Sequence, residues 1–201
     1  KEVLEVASKG AQAHGGEAVC EFLSAAYFAE IAADVTLTKA QQCLAVRDWK
    51  AAEPLLSQAL AQTEAVSGDQ HPRVALVLSL LGQCYAHSAR PTLAEGLYRS
   101  AAQMLKVSDK IEQGGAGHSS VYALLCWRYA QMLHVMPKRE HEAREWSERA
   151  QMHWGETFSS PIESALGGLD VLKGTSERGS GGYVHLQSRR LILCCPISEG
   201  H

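Results

Sequence analysis

A small–large–small triplet of residues recurs along this chain at a fixed offset, and it constrains the fold more than any other feature. The second copy follows the first by 42 residues, and a looser third copy lies further on. In chain order the copies are Ala52, Leu56 and Ala59; Ala94, Tyr98 and Ala101; and Ala143, Ser147 and Ala150. Repetition at an offset of roughly 20 to 50 residues is typical of solenoids, whose units bury their apolar faces by stacking on one another.

Helix-compatible stretches alternate with turn signals between these copies. Val74, Val77, Leu78 and Leu81 recur at helical spacing, and Pro72 suits a first helical turn, so residues 72–88 are predicted to form an amphipathic helix. The whole chain divides into an N-terminal helical segment (1–27), helical repeats (28–155, with units at about 28–66, 72–110 and 119–154), a capping helix (156–173) and a tail (174–201).

The composition changes beyond residue 174. The stretch Gly179-Ser180-Gly181-Gly182 is linker-like, and residues 183–201 have neither the helical period nor the repeat pattern. We therefore predict that 174–201 is a flexible or irregular tail that stands outside the repeat fold. Within it, the apolar run at 191–195 is compatible with either a short strand or an unstructured segment.

Charge and hydropathy narrow the classes of partner. The net charge is −3, from 19 basic and 22 acidic residues, and no basic stripe is present to hold phosphates. This argues against a nucleic-acid partner. No run approaches the roughly 18 apolar residues of a transmembrane helix, so no membrane span is predicted.

The residues that could carry chemistry do not form a recognisable site. Neither a nucleophile elbow nor a phosphate loop is present, and the histidines at 134, 141 and 153 lack the i, i+4 spacing of helix-borne metal ligands. We expect no catalytic residues, no metal and no cofactor, and hence a protein that is not an enzyme. Scattered surface and linker histidines explain the pattern better than a metal site does.

The cysteines point to a reducing compartment. Four of the six lie inside predicted helices, where a free thiol acts as a small buried hydrophobe. We therefore predict an intracellular protein, located in the cytoplasm. Because the chain opens on Lys1 rather than Met, its N-terminus is expected to be incomplete, which leaves an organelle open.

The middle unit resembles a tetratricopeptide repeat. That family places a large–small pair and an aromatic residue on its first helix, then small–large–small residues on its second. The matching residues are Leu81, Gly82 and Tyr85, followed by Ala94, Tyr98 and Ala101. The resemblance implies an all-α solenoid of antiparallel helix pairs, with about three repeats over residues 28–155.

The 42-residue spacing and the linker at 69–72 resemble the kinesin light chain type of this repeat in particular. The flanking units depart from the pattern. In the first, Lys39 and Cys43 stand where large residues are usual. In the third, Ser147 replaces the large residue of the second helix, and neighbouring Trp146 is expected to substitute for it.

The resemblance also implies a binding surface. When the units are aligned, three glutamines follow the small position of each first helix, and that position faces the concave groove in this family. With the residues four before and three after them, the implied peptide-binding groove is Gln41, Gln83, Gln131, Leu37, Ser79, Trp127, Ala86 and His134. A primary amide can both donate to and accept from a peptide backbone. Glutamine is also a common helical surface residue, so chance coincidence is the alternative explanation.

Two functions are expected on these grounds. The first is a non-enzymatic protein–protein interaction module, an adaptor or scaffold that binds a peptide or helix of a protein partner in the concave groove. The alternative is a structural or assembly-factor subunit packed permanently into a larger complex. In that case the outer faces and the 155–201 extension would carry the contacts.

Overall fold

A computed structural model describes residues 17–111, 116–174, 182–185 and 190–193. Helices dominate this part of the chain, and a two-stranded ribbon comes after them. The elements are α1 (Glu17–Ala45), α2 (Trp49–Ser67), α3 (Pro72–His87), α4 (Pro91–Ile111), α5 (Ala116–His134), α6 (Glu140–Gly155), α7 (Ile162–Leu166), a 3-10 helix (Leu169–Lys173), β1 (Gly182–His185) and β2 (Arg190–Leu193).

The six long helices pack as three successive pairs. Helix α1 packs on α2, α3 on α4 and α5 on α6, while α2 touches α3 and α4 touches α5 to join neighbouring pairs. Short turns connect the two helices of each pair, so the partners run antiparallel. The predicted fold class, an all-α solenoid of about three helix pairs, is confirmed.

The turns inside the three pairs share one backbone feature. Arg47, Ala89 and Lys138 each adopt a positive φ, of 62°, 56° and 65°. Side chains other than glycine visit this left-handed region only where the surroundings enforce it. The same unusual turn at the same place shows that the three pairs are copies of one unit.

All nine residues of the repeated triplets are buried, from fully enclosed Ala52 to Ser147 at 7% exposure. Helices α3 and α4 approach closely at Gly82 and Tyr98. A Cβ atom added to Gly82 would lie 3.1 Å from the ring of Tyr98, so only glycine fits there without displacing the ring. In the third pair Ser147 is small, and the Trp146 ring packs at 4.9 Å from that of Tyr129.

Adjacent units are also joined by a repeated polar contact, which we call the inter-unit clamp. In the first clamp the guanidinium of Arg90 donates two hydrogen bonds to Glu53, at 2.8 and 2.5 Å, and lies 4.2 Å from the ring centre of Tyr85. Hydrogen bonding by Arg90 lowers the pKa of the Glu53 carboxyl. The clamp thus ties the second helix of one unit to the turn of the next.

The second clamp repeats the arrangement one unit further along. Arg139 donates to both oxygens of Glu95, at 3.1 and 3.0 Å, and the Tyr129 hydroxyl donates to the same carboxylate at 3.3 Å. The hydrogen bonds from Arg139 lower the pKa of Glu95. Glu53 and Glu95 each follow the first small residue of their triplet; the corresponding residue of the third unit is the exposed Arg144.

The segment after the third pair folds back onto it. Helix α7 buries Ile162, Ala165 and Leu166, and the Trp154 indole donates to the Ser160 carbonyl at 2.7 Å. The two strands pair antiparallel, with β2 against α5. Within the range where a flexible or irregular tail is predicted, residues 182–185 and 190–193 therefore form a ribbon. Strand pairing provides hydrogen-bond partners for main-chain groups of residues 191–193. These residues belong to the apolar run for which the sequence allows either a short strand or an unstructured segment.

Candidate peptide-binding groove

The predicted groove residues lie on the first helix of each pair, at equivalent positions. Their spacing of three or four residues puts those of each helix on one face. Leu37 and Gln41 lie on α1; Ser79, Gln83 and Ala86 on α3; and Trp127, Gln131 and His134 on α5.

Most of this face is covered. Five of the eight residues are buried: Leu37, Gln41, Ser79, Trp127 and Gln131. Gln83, Ala86 and His134 are half-buried. The Ser79 hydroxyl donates to the Leu76 carbonyl of its own helix at 2.7 Å, whereas Gln83 has no hydrogen-bond partner among the described residues. The middle helix therefore presents the accessible amide.

On α5 two side chains already hold a main chain. The indole nitrogen of Trp127 donates to the carbonyl of Gly167 at 2.9 Å. The amide nitrogen of Gln131 lies within hydrogen-bond distance of three successive carbonyls, those of Leu166 (3.2 Å), Gly167 (3.1 Å) and Gly168 (2.9 Å). These two side chains therefore donate hydrogen bonds to main-chain carbonyls of another segment of the same chain.

Arg128 completes this contact. Its guanidinium donates to the side-chain oxygen of Gln131 at 3.0 Å and to the Leu166 carbonyl at 3.3 Å. The first bond holds the Gln131 oxygen away from the carbonyls, so the amide nitrogen faces them. Burial lowers the pKa of Arg128. The alignment of repeat positions missed this residue because it lies one position beyond Trp127; its i, i+3 relation to Gln131 is the signal that marks it.

An acidic residue meets the end of the same helix. His134 Nε2 lies 2.9 Å from a carboxylate oxygen of Asp170, and the two side chains stay partly exposed, at 28% and 48%. The α5 surface therefore offers donors for several main-chain carbonyls and, one turn further on, a partner for one carboxylate. Most of these groups can form hydrogen bonds with a main chain, whatever side chains it carries.

His87, at the end of α3, has a strongly perturbed environment. Its ring stacks on Trp49 with centres 4.2 Å apart and planes 4° from parallel. Burial, with smaller contributions from Arg128 and Arg47, lowers the pKa of His87 from 6.5 to about 4. The folded protein therefore keeps this imidazole neutral at pH values where an unfolded chain would protonate it.

This difference predicts a pH-dependent stability. Between about pH 6.5 and pH 4 the unfolded chain binds a proton at His87 that the folded chain does not, so the free energy of unfolding falls as the pH drops through this window. Urea titrations from pH 7 to pH 4 measure the fall. His87→Phe keeps the stacking on Trp49 without titrating and should flatten the profile; parallel profiles for both proteins would contradict the assignment.

The stacked antiparallel pairs and their small–large–small interfaces define a helical repeat protein of the α-solenoid class. Residues 32–106 match the family model described as tetratricopeptide repeat, which covers most of the first two pairs. The matched segment therefore consists of tetratricopeptide repeats. No significant match was found among curated proteins or among solved structures. The kinesin light chain type of repeat stays a prediction.

Among the described residues, no helix combines the length and the apolar character needed to cross a membrane. In the same part of the chain, no group of three or more His, Cys, Asp or Glu side chains is placed to hold a metal ion.

Proposed function

We propose that this chain is a non-catalytic adaptor whose concave face binds an extended segment of a protein partner. Tetratricopeptide repeats are in general protein–protein interaction modules. One observation carries the finer proposal: Trp127 and Gln131 donate to three successive main-chain carbonyls. A face that holds its own backbone in this way has the chemistry to hold another.

The middle of the face supports the same conclusion. Gln83 occupies on α3 the position that Gln131 occupies on α5, and its half-buried amide lacks a partner among the described residues. Ala86, one turn further on, is also half-buried and carries only a methyl group. The binding partner we propose is a protein or peptide, with no nucleic acid and no cofactor. The reduced thiols of Cys43, Cys84 and Cys126 favour an intracellular, cytoplasmic location.

A photo-crosslinking experiment tests the proposal directly. The photoreactive residue p-benzoylphenylalanine is placed at Gln83 in the full chain, and cross-linked peptides are sequenced by mass spectrometry after irradiation in cells. We expect one partner segment to be recovered at position 83, because that side chain would line the occupied groove. The same group at the exposed Ser100 on α4 is the matched control. Equal recovery of that partner at both positions would contradict the proposal.

The alternative, a subunit built permanently into a larger complex, is favoured by a different surface. Tyr27, Phe28 and Val35 on α1 are exposed at 57%, 55% and 47%, outside the predicted groove residues. Apolar side chains clustered on one helix mark a protein contact. If this function holds, the photoreactive residue captures the partner at Phe28 and not at Gln83.

A further inference from the structure

The chain carries its own occupant for the α5 part of the groove. We define the cis segment as residues 166–170, which begin at the end of α7 and touch Trp127, Arg128, Gln131 and His134. Its first residue, Leu166, is 2% exposed and belongs to the buried face of α7. The next residues leave that helix and cross α5 with their carbonyls toward it.

The residues that fix α7 to the third pair differ from those that form hydrogen bonds with α5. Burial of Ile162, Ala165 and Leu166 fixes α7 to the third pair. Beyond Leu166 the contact consists of main-chain hydrogen bonds, the partly exposed pair of His134 and Asp170, and the half-buried side chains of Leu169 and Leu172, which pack against the core. Contacts made by half-buried side chains and main-chain hydrogen bonds open at lower free energy than a fully buried core. The cis segment can therefore leave α5 while α7 stays docked.

We propose that the cis segment is an internal ligand, which a partner segment of the same chemistry displaces from α5. The proposal rests on the proposed function and specifies its ligand. That ligand is a peptide with two adjacent glycines or other very small residues between leucines, followed directly by an aspartate, as in Leu166-Gly167-Gly168-Leu169-Asp170, where the two glycines join α7 to the 3-10 helix.

The contacts explain why this composition fits. Three successive carbonyls approach one amide nitrogen within 3.2 Å, so the backbone must lie directly on α5. Gly167 has φ 78° and ψ 161°, a conformation that residues with a Cβ avoid. The aspartate then lies within hydrogen-bond distance of His134. The positive charge of Arg128, one turn before Gln131, also attracts an acidic peptide.

A free peptide must compete with the cis segment for α5, and this competition determines how tightly the peptide binds. A segment held on the same chain acts at an effective concentration on the order of millimolar, so a free peptide of equal intrinsic affinity binds the intact protein weakly. Any change that weakens the cis segment without touching α5 must therefore strengthen binding of the free peptide by the same factor. This reciprocal effect separates an internal ligand from a permanent cap.

The test uses the full chain and a fluorescein-labelled peptide with the sequence of residues 164–173, and measures binding by fluorescence anisotropy. Gly167→Ala in the protein strains the cis segment and replaces no α5 side chain. We expect it to bind the peptide at least fivefold more tightly than the unmodified protein does. Asp170→Asn weakens the cis segment by removing the charge opposite His134, and a smaller gain of about twofold is expected.

Gly68→Ala is the matched control, because Gly68 has nearly the same backbone conformation (φ 85°, ψ 157°) with nothing within 4 Å of an added Cβ, but lies between α2 and α3. It should leave the peptide affinity unchanged. Adding Gln131→Leu to Gly167→Ala should abolish the gain. The inference is overturned if Gly167→Ala binds no more tightly than Gly68→Ala, or if the gain survives Gln131→Leu. If the inference is overturned in this way but a partner is still cross-linked at Gln83, the proposed function remains supported.

Discussion

Replacing Tyr98 by alanine is expected to lower the free energy of unfolding by about 3–5 kcal/mol, the range for removing a large aromatic side chain from a core. Tyr98 is 1% exposed. Its ring fills the space that Gly82 leaves on α3 and stacks on Tyr129 of α5, with ring centres 5.5 Å apart. One side chain thus closes the interface inside the second unit and the interface with the third. The structure could fill the cavity left by Tyr98→Ala only if both of these interfaces shifted.

Urea denaturation followed by circular dichroism at 222 nm measures this effect. Tyr98→Phe is the control, since it keeps the ring against Gly82 and Tyr129 and removes only the hydroxyl. We expect it to cost under about 1.5 kcal/mol, as volume-conserving core changes usually do. Equal losses for alanine and phenylalanine would show that the hydroxyl, and not the packing of the ring, is what stabilises the interface.

Trp127→Ala is expected to have a comparable effect on stability, about 3–5 kcal/mol, together with a local consequence that Tyr98→Ala lacks. Trp127 is 1% exposed and holds the carbonyl of Gly167 through its indole nitrogen. Removing it opens a cavity and leaves that carbonyl without its indole donor. We expect the chain to become sensitive to trypsin at Lys173, which lies just beyond the cis segment.

Trp127→Phe separates the two consequences. It fills most of the cavity but cannot donate a hydrogen bond, so we expect a smaller stability loss, about 1–3 kcal/mol, with increased cleavage at Lys173. Mass spectrometry of timed trypsin digests locates the cut. Cleavage at Lys173 that stays at the level of the unmodified protein in both variants would show that Trp127 does not hold the segment.

The sequence was sufficient to predict the architecture because the residues that set it recur at a fixed offset. Small side chains such as Ala52 and Ala94, 42 residues apart, identify the positions where helices meet, and each is fully buried. The same alignment put Gln131 and Trp127 on one face of α5, where both contact the Gly167 carbonyl. Periodicity is a strong signal because the same packing problem is solved in each unit.

Features that break the period could not be predicted in this way. The left-handed turn positions are occupied by Arg47, Ala89 and Lys138. Glycine is the residue that usually marks such a turn in a sequence, and none of these positions has one. The clamp arginines are 49 residues apart, at 90 and 139, because the third unit has a longer connection, so an offset of 42 misses them. Residues 166–168 lie on α5 through a tertiary contact. Their segment is not repeated along the chain, so no spacing rule could predict this contact.

The charges at the unit junctions have a consequence for how the chain folds. The clamp pairs a glutamate with an arginine at both junctions, whereas the third unit carries Arg144 at the glutamate position and the first carries Asp48 at the arginine position, directly after its left-handed turn. Stacking the third unit ahead of the second would set Arg144 against Arg90. Stacking the second ahead of the first would set Glu95 against Asp48. Since like charges repel, these inverted orders are penalised, and chains that refold side by side are discouraged from exchanging helix pairs in the wrong sequence.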